Sequence, residues 1–312
     1  MLAFDADAVH AALPWADLIE ALREAHRGPM PVSDVVLQSD PSGGPGLFVT
    51  LPGWAPGGPI VVKMVGVFAQ NAALQPPQPA VQGLVALFDG ATGAPRLVAD
   101  GAAMTARKTA GDSALGASLL ARDDVEDLLI VGAGALAPHF AAAHLAARPS
   151  LRRVTIWNRT ASRARQVADT LSTQGIAATV TEDLDQAVAR ADLISCVTMS
   201  DRALIKGALL QPGAHLDLVG AYLPTLREAD DAALARGTIF VDSRANMTGG
   251  GDLSQAVASG AITWDAVRAD LFDLIRDAAP GRTSREQITV FKNNGGAHLD
   301  LFTAAALRAA AG

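Results

Sequence analysis

Residues 127–147 constrain this chain more than any other segment. Asp127-Leu128-Leu129-Ile130-Val131 is a continuous apolar run, and Gly132-Ala133-Gly134-Ala135-Leu136-Ala137 follows it at once. The pattern is G-x-G-x-x-A between a strand and a helical stretch. Gly132 permits a tight turn, Gly134 lets backbone approach a pyrophosphate, and Ala137 lets helix and strand pack closely. The amino end of the helix, at Ala135 and Leu136, offers N–H groups to phosphate oxygens. A second strand at the right distance completes the context that gives this glycine pattern its meaning.

That second strand, Val154–Trp157, points to the cofactor. An NAD site usually ends it with an acid that holds the ribose 2′-hydroxyl. Here Asn158-Arg159-Thr160 follows, with Arg163 close by and no acid. A carboxylate would repel a 2′-phosphate, whereas a guanidinium grips one in two places. The substitution favours NADP(H) and leaves NAD(H) possible.

Around this motif, strands at Leu193–Val197, Ala177–Val180, His215–Val219 and Thr238–Val241 alternate with helical stretches such as Ala161–Ser172 and Leu184–Ala189. Such alternation predicts a parallel sheet covered on both faces. The first third has another texture. Val35–Gln38, Leu47–Leu51, Ile60–Val67, Val81–Phe88 and Arg96–Ala99 are separated by Gly, Pro and Asp-Gly turns, which predicts antiparallel hairpins. Residues 8–26 read as one amphipathic helix. A helix at Ala103–Ala121 joins the two textures, and another at Ala297–Ala311 closes the chain.

The 312 residues suit about two domains. A formal net charge of −7 argues against a general nucleic-acid binder. The single cysteine, Cys196, excludes an intrachain disulfide and a cysteine-based zinc site and reads as a small buried residue. No metal spacing links His139, His144, His215 and His298, and no Ser-His-Asp elbow is visible. The first residues lack a basic region before an apolar core, and no apolar window is long enough for a membrane span. The expectation is a cytoplasmic protein with neither membrane nor nucleic-acid partners.

Several segments, in order, resemble the ornithine cyclodeaminase/μ-crystallin family. They are Ile60–Val65 with Asn71, the hairpin 84–93, the helix Met104-Thr105-Ala106-Arg107-Lys108-Thr109-Ala110-Gly111-Asp112-Ser113-Ala114, the later strands 191–198 and 212–220, and the closing segment Ile288–Lys292 with Gly296, Ala297 and Asp300. The resemblance covers nearly the whole chain. It implies a Rossmann-type doubly wound parallel sheet, residues 107–287, inserted into an α+β substrate-binding and dimerisation domain with a largely antiparallel sheet, residues 1–106 and 288–312. It also implies a homodimer, and hydride transfer between nicotinamide and the α-carbon of an amino acid or its imine.

By that resemblance Lys63 is the substrate lysine, which binds a carboxylate or passes a proton. Thr198 and Gly220 line the nicotinamide half of the cofactor site, beside Gly132, Gly134, Asn158, Arg159 and Thr160. Three positions depart from the family pattern. Lys108 replaces an arginine; Arg107, one place earlier, points elsewhere on a helix and cannot stand in for it. Ser33 stands where a second carboxylate-binding arginine is expected. Tyr222 replaces the aspartate that cyclodeaminases and alanine dehydrogenases use as a base, and a phenol is a poor base but a good hydrogen-bond donor. Glu228 and Asp230 read as helix caps, with Arg227 as their partner, and Asp300 as a brace for the closing loop.

These assignments give three readings. The first is an NADPH-dependent reductase of small cyclic imino acids of the Δ1-pyrroline-2-carboxylate or Δ1-piperideine-2-carboxylate type. Lys63 and Lys108 hold the carboxylate, Ser33 lies at its edge, and Lys63 with Tyr222 serves the nitrogen. The second is an ornithine cyclodeaminase, a lyase that recycles its NAD. The third is a nucleotide-dependent binding protein with little turnover.

Overall fold

Turn residues in the first hundred positions do fold the chain back on itself repeatedly. The computed structural model describes the backbone of residues 1–312 and every side chain except that of residue 72. It divides into two units, Met1–Thr109 with Gly296–Gly312, and Ala110–Gly295.

The first unit holds seven strands: β1 (Leu2–Phe4), β2 (Val32–Ser33), β3 (Val36–Ser39), β4 (Leu47–Trp54), β5 (Ile60–Val67), β6 (Val81–Phe88) and β7 (Pro95–Asp100). The order is β1-β7-β6-β5-β4-β2, with β3 also on β4. The hairpin partners from β4 to β7 are antiparallel, and only β1 runs parallel to its neighbour, β7. Asp89 builds the β6–β7 turn by accepting from the N–H groups of Ala91 and Thr92. The closing helix, Ala297–Ala310, packs on β4, β5, β6 and the helix Trp15–Arg27. Leu18, Leu22, Val61, Val85, Leu299 and Leu307 are buried in this unit.

The expected single helix over 8–26 is two helices, Ala6–Ala12 and Trp15–Arg27. Pro14 causes the break. Its ring disfavours helical backbone at the preceding residue, and Leu13 sits at φ −122°, ψ 69°. Periodicity carried across the break because both pieces bury the same kind of face.

The second unit is an eight-stranded parallel sheet: β8 (Asp127–Val131), β9 (Arg153–Trp157), β10 (Ala178–Thr181), β11 (Leu193–Cys196), β12 (His215–Leu218), β13 (Thr238–Val241), β14 (Val267–Asp270) and β15 (Thr289–Lys292). The order is β10-β9-β8-β11-β12-β15-β13-β14, and every pairing is parallel. The chain winds outward in one direction from β8 and in the other from β11. Doubly wound sheets bind ligands beyond the carboxyl ends of the strands at such a reversal.

Residues 288–295, grouped in the sequence reading with the outer domain, belong to this second unit. Their strand, β15, is hydrogen-bonded to β12 on one side and β13 on the other. Its four residues are fully covered, which explains a Thr-Val-Phe-Lys run with little alternation. The helix Gly101–Leu120 carries the chain from the first unit into the second.

Candidate active site

In the second unit the glycine motif forms the turn after β8. Gly132 has φ +120°, and a Cβ there would lie 2.8 Å from the carbonyl oxygen of Val197. The fold itself therefore requires that glycine. Gly134 is different: a Cβ there would meet no atom of the protein within 4 Å. Nothing in the chain demands glycine at 134, whereas a phosphate brought against the backbone does. The helix Ala137–Ala147 follows, with Leu136 as its N-cap residue and no capping bond from the Leu136 side chain. The residues thus fit a dinucleotide pyrophosphate.

At the end of β9, the Asn158 amide donates to the carbonyl of Thr160 at 3.0 Å, and Thr160 opens the helix Ala161–Thr173. Arg159 and Arg163 are exposed. Among the described residues neither forms an ion pair, and no Asp or Glu stands at the strand end.

The ends of β11 and β12 are tied together by Glu228. One of its oxygens accepts from Thr198 N–H (2.7 Å) and Thr198 Oγ1 (2.8 Å). The other accepts from the N–H groups of Val219 (3.0 Å) and Gly220 (2.7 Å). Thr198 and Gly220 are brought so close that a Cβ on Gly220 would lie 1.6 Å from the Thr198 carbonyl oxygen. Asp252 in turn accepts from Glu228 N–H at 2.7 Å and lies 3.3 Å from Lys292 Nζ. Glu228, Asp252 and Lys292 are all fully buried. Burial, reinforced by the Asp252 charge, pushes the Glu228 carboxyl up to about 8, against the pull of Lys292 and of the Thr198 N–H and hydroxyl.

Of the two expected caps, only Asp230 is one: it accepts from Ala233 N–H and opens the helix Asp231–Arg236. Glu228 turns inward, where it accepts from the N–H groups of Thr198 and Gly220 at the loop ends after β11 and β12. Arg227 pairs with Asp231 instead of Glu228 or Asp230. Tyr222 is 53% exposed, and its own N–H donates to the Gly220 carbonyl at 3.0 Å. His144 is buried against Asp217 at 3.3 Å, and Cys196 is fully buried with its thiol pushed up by desolvation. Among the described residues no His, Cys, Asp and Glu group could hold a metal ion, and no helix is long and apolar enough to cross a membrane.

In the first unit the two expected lysines meet. Lys63 projects from β5 and donates to Thr105 Oγ1 at 2.6 Å. Lys108, three residues after Thr105 on the helix Gly101–Leu120, donates to Asp300 Oδ2 at 2.6 Å and to the Gly296 carbonyl at 3.2 Å. The other oxygen of Asp300 lies 3.5 Å from Lys63 Nζ. Asp300 is fully buried in the first turn of the closing helix, where the helix dipole favours an anion. Burial and the Lys108 charge lower the Lys63 ammonium to about 8, with Asp300 opposing them. Two cations with one anion leave the cluster one positive charge in surplus.

Arg107 faces away from this cluster. It donates to the ring and carbonyl of His10 and lies over the Trp15 ring at 4.0 Å. Ser33 is exposed on β2, opposite Gly53, which is itself opposite Val61. Val61 and Lys63 are two apart on β5, so Ser33 shares their sheet face, two strands away across β4. Thr105 was missed from sequence, although its spacing of three from Lys108 puts both on one helix face. Asp300 was assigned to the closing loop; it is the counter-ion of both lysines.

The second unit defines a dinucleotide-binding α/β protein, by its reversal point, its glycine turn and its helix amino end. The chain belongs to the ornithine cyclodeaminase/mu-crystallin family, whose model matches residues 15–311. It is 42% identical over 293 residues to a Delta(1)-pyrroline-2-carboxylate reductase of Paracoccus denitrificans, covering 94% of this chain and 91% of that protein. It is 36% identical over 228 residues to the ketimine reductase mu-crystallin of Mus musculus, covering 72% of this chain and 68% of that one. Among solved structures, the iminosuccinate reductase of Paracoccus denitrificans in complex with NAD+ superposes with a TM-score of 0.89 at 25% identity, covering 100% of this chain and 96% of the other.

Proposed function

We propose that this protein reduces the C=N bond of small cyclic imino acids of the Δ1-pyrroline-2-carboxylate or Δ1-piperideine-2-carboxylate type, with NADPH used ahead of NADH. The observation that carries the reading is the cluster of Lys63, Lys108 and Asp300, in a chain whose relatives include pyrroline-carboxylate and ketimine reductases. Its surplus positive charge suits one substrate carboxylate, which Lys108 and Lys63 would hold. When bound, the reduced nicotinamide supplies a hydride to the imine carbon. Lys63 supplies the proton that the nitrogen gains, so the C=N bond becomes an N–H and a C–H, and Lys63 then recovers a proton from water. A donor at about 8 is protonated at neutral pH and yet gives up its proton readily.

Several features support the rest of the reading. Arg159 and Arg163, exposed beside a strand end without an acid, suit a 2′-phosphate. Tyr222, in the place of an aspartate base, offers a hydrogen bond to the substrate nitrogen or a water rather than a proton acceptor. The seven-stranded sheet leaves Val32, Leu37, Trp54 and Val81 from 51% to 75% exposed, which suits pairing with a second copy.

The test is oxidation of NADPH and of NADH with a panel of cyclic imino acids, pyruvate plus methylamine, and open-chain keto acids. Rapid loss of NADPH with a cyclic imino acid, abolished in Lys63→Ala, is expected. Equal turnover by Lys63→Ala removes the donor role. Ammonia release from ornithine with catalytic NAD, without net reduction, replaces the reductase reading with the lyase.

A further inference from the structure

Lys63 and Lys108 are both buried, and among the described residues Asp300 is the one carboxylate within ion-pair distance of either. The surroundings contribute little else. The neighbouring strands place Leu51 and Val85 opposite Lys63. The helix Gly101–Leu120 adds Thr105 and Lys108, and the closing helix adds Asp300 and His298. His298 is held neutral by burial, with the charges of His26 and Lys108 acting in the same direction.

We infer that Asp300 is a positioning residue that keeps Lys63 charged and aimed: by bridging the two ammoniums it lets both carry a proton in one dry pocket. This rests on the reading of Lys63 as the proton donor. The geometry divides the carboxylate unequally. Lys108 takes a close bond at 2.6 Å, and Lys63 takes a looser contact at 3.5 Å and a second anchor on the Thr105 hydroxyl. Lys63, with the looser contact to the shared carboxylate, is left as the group that exchanges its proton. With the carboxylate neutralised, two ammoniums face each other without an anion. The less costly response of such a pair is for one member to lose its proton, and Lys63, which holds the weaker contact, is the member that does so.

The experiment is the pH dependence of kcat for the wild type, Asp300→Asn and Asp300→Glu on the same imino acid, so that titration of the substrate is common to all. The wild type should lose activity as pH rises through about 8. In Asp300→Asn that limb should move down by about one unit or more, so that a loss of about tenfold at pH 8 shrinks towards pH 6. Asp300→Glu should restore most of the wild-type profile. A uniform loss at every pH, with the limb unmoved, overturns the proposal. If Asp300→Asn does not fold, the double variant Asp300→Asn/Lys108→Met removes one cation together with the anion. Its limb should return towards the wild-type position, and failure to return overturns the proposal equally. A wild-type profile without the limb overturns the donor reading of Lys63 instead.

Discussion

Each unit contains a cluster of three buried ionisable side chains, and the two clusters mirror each other, two bases with one acid against two acids with one base. In the first unit, Lys63 and Lys108 share one anion, Asp300. In the second, Glu228 and Asp252 share one cation, Lys292. The minority charge is fully buried in both. The difference lies in what meets the surplus. The surplus acid of the second set, Glu228, is met by four donors from the loop ends, three of them backbone N–H groups. The extra positive charge of the first set has no such partner and remains available to a ligand. Buried ion clusters seldom stabilise a fold by themselves. What they achieve depends on whether backbone or substrate completes them.

The comparison is broken or sharpened most strongly by catalysis. Lys63→Ala should lower kcat by about two to four orders of magnitude, as loss of a general acid does, while its urea midpoint stays at or above that of the wild type. An equal fall in stability would make the first cluster structural, like the second. Lys292→Met should do the reverse. Stripping the cation from Asp252 and Glu228 should cost about 3–5 kcal/mol in urea unfolding. A loss below about 1 kcal/mol would show that the backbone donors alone satisfy the acids.

Opposite pH slopes follow next. Between about 8 and its ordinary 10.5, Lys63 has released its proton in the folded chain but keeps it unfolded. The unfolded state then binds more protons, so this group makes stability rise with pH across that window, by about 3 kcal/mol in all. Glu228 acts in the other direction. Between its ordinary 4.5 and about 8 the folded chain holds the extra proton, so stability falls as pH rises. Melting temperature against pH in Lys63→Met and in Glu228→Gln should remove one slope each. The smallest contrast concerns two glycines. Gly132→Ala should cost about 1–3 kcal/mol through backbone strain. Gly134→Val should leave the urea midpoint in place and weaken nucleotide binding, read by quenching of protein fluorescence. A stability loss at 134 equal to that at 132 would show that both glycines serve the fold alone.

Much of the second unit was legible because buried parallel strands are continuous apolar runs, and Asp127–Val131 and Thr238–Val241 have the predicted bounds. The glycine turn was legible because only one backbone path joins such a strand to such a helix. The break at Pro14 was not, since apolar spacing is silent about a local backbone clash. Strand β1 was missed because three residues are too few to show a run, and β14 because Val-Arg-Ala-Asp breaks its apolar run with two charges. Lys63 stood out as a charge inside a valine run, but nothing along the chain joins it to Asp300, 237 positions later. Glu228 and Lys292 escaped for the same reason: their partners are neighbours only once β11, β12 and β15 lie side by side.

The place of β15 has a consequence for the order in which the protein can form. It follows the other seven strands of its sheet along the chain, yet it sits between β12 and β13. Until residue 292 has left the ribosome, β13 and β14 have no edge to join, and β12 presents an open one. Such long-range parallel pairing is slow, and an unpaired edge is open to other chains meanwhile. The helix with Asp300 comes later still in the chain, so Lys63 and Lys108 acquire their shared anion only after residue 300 has been made. A nascent chain stays unfinished at one charged centre until residue 292 emerges, and at the other until residue 300 does.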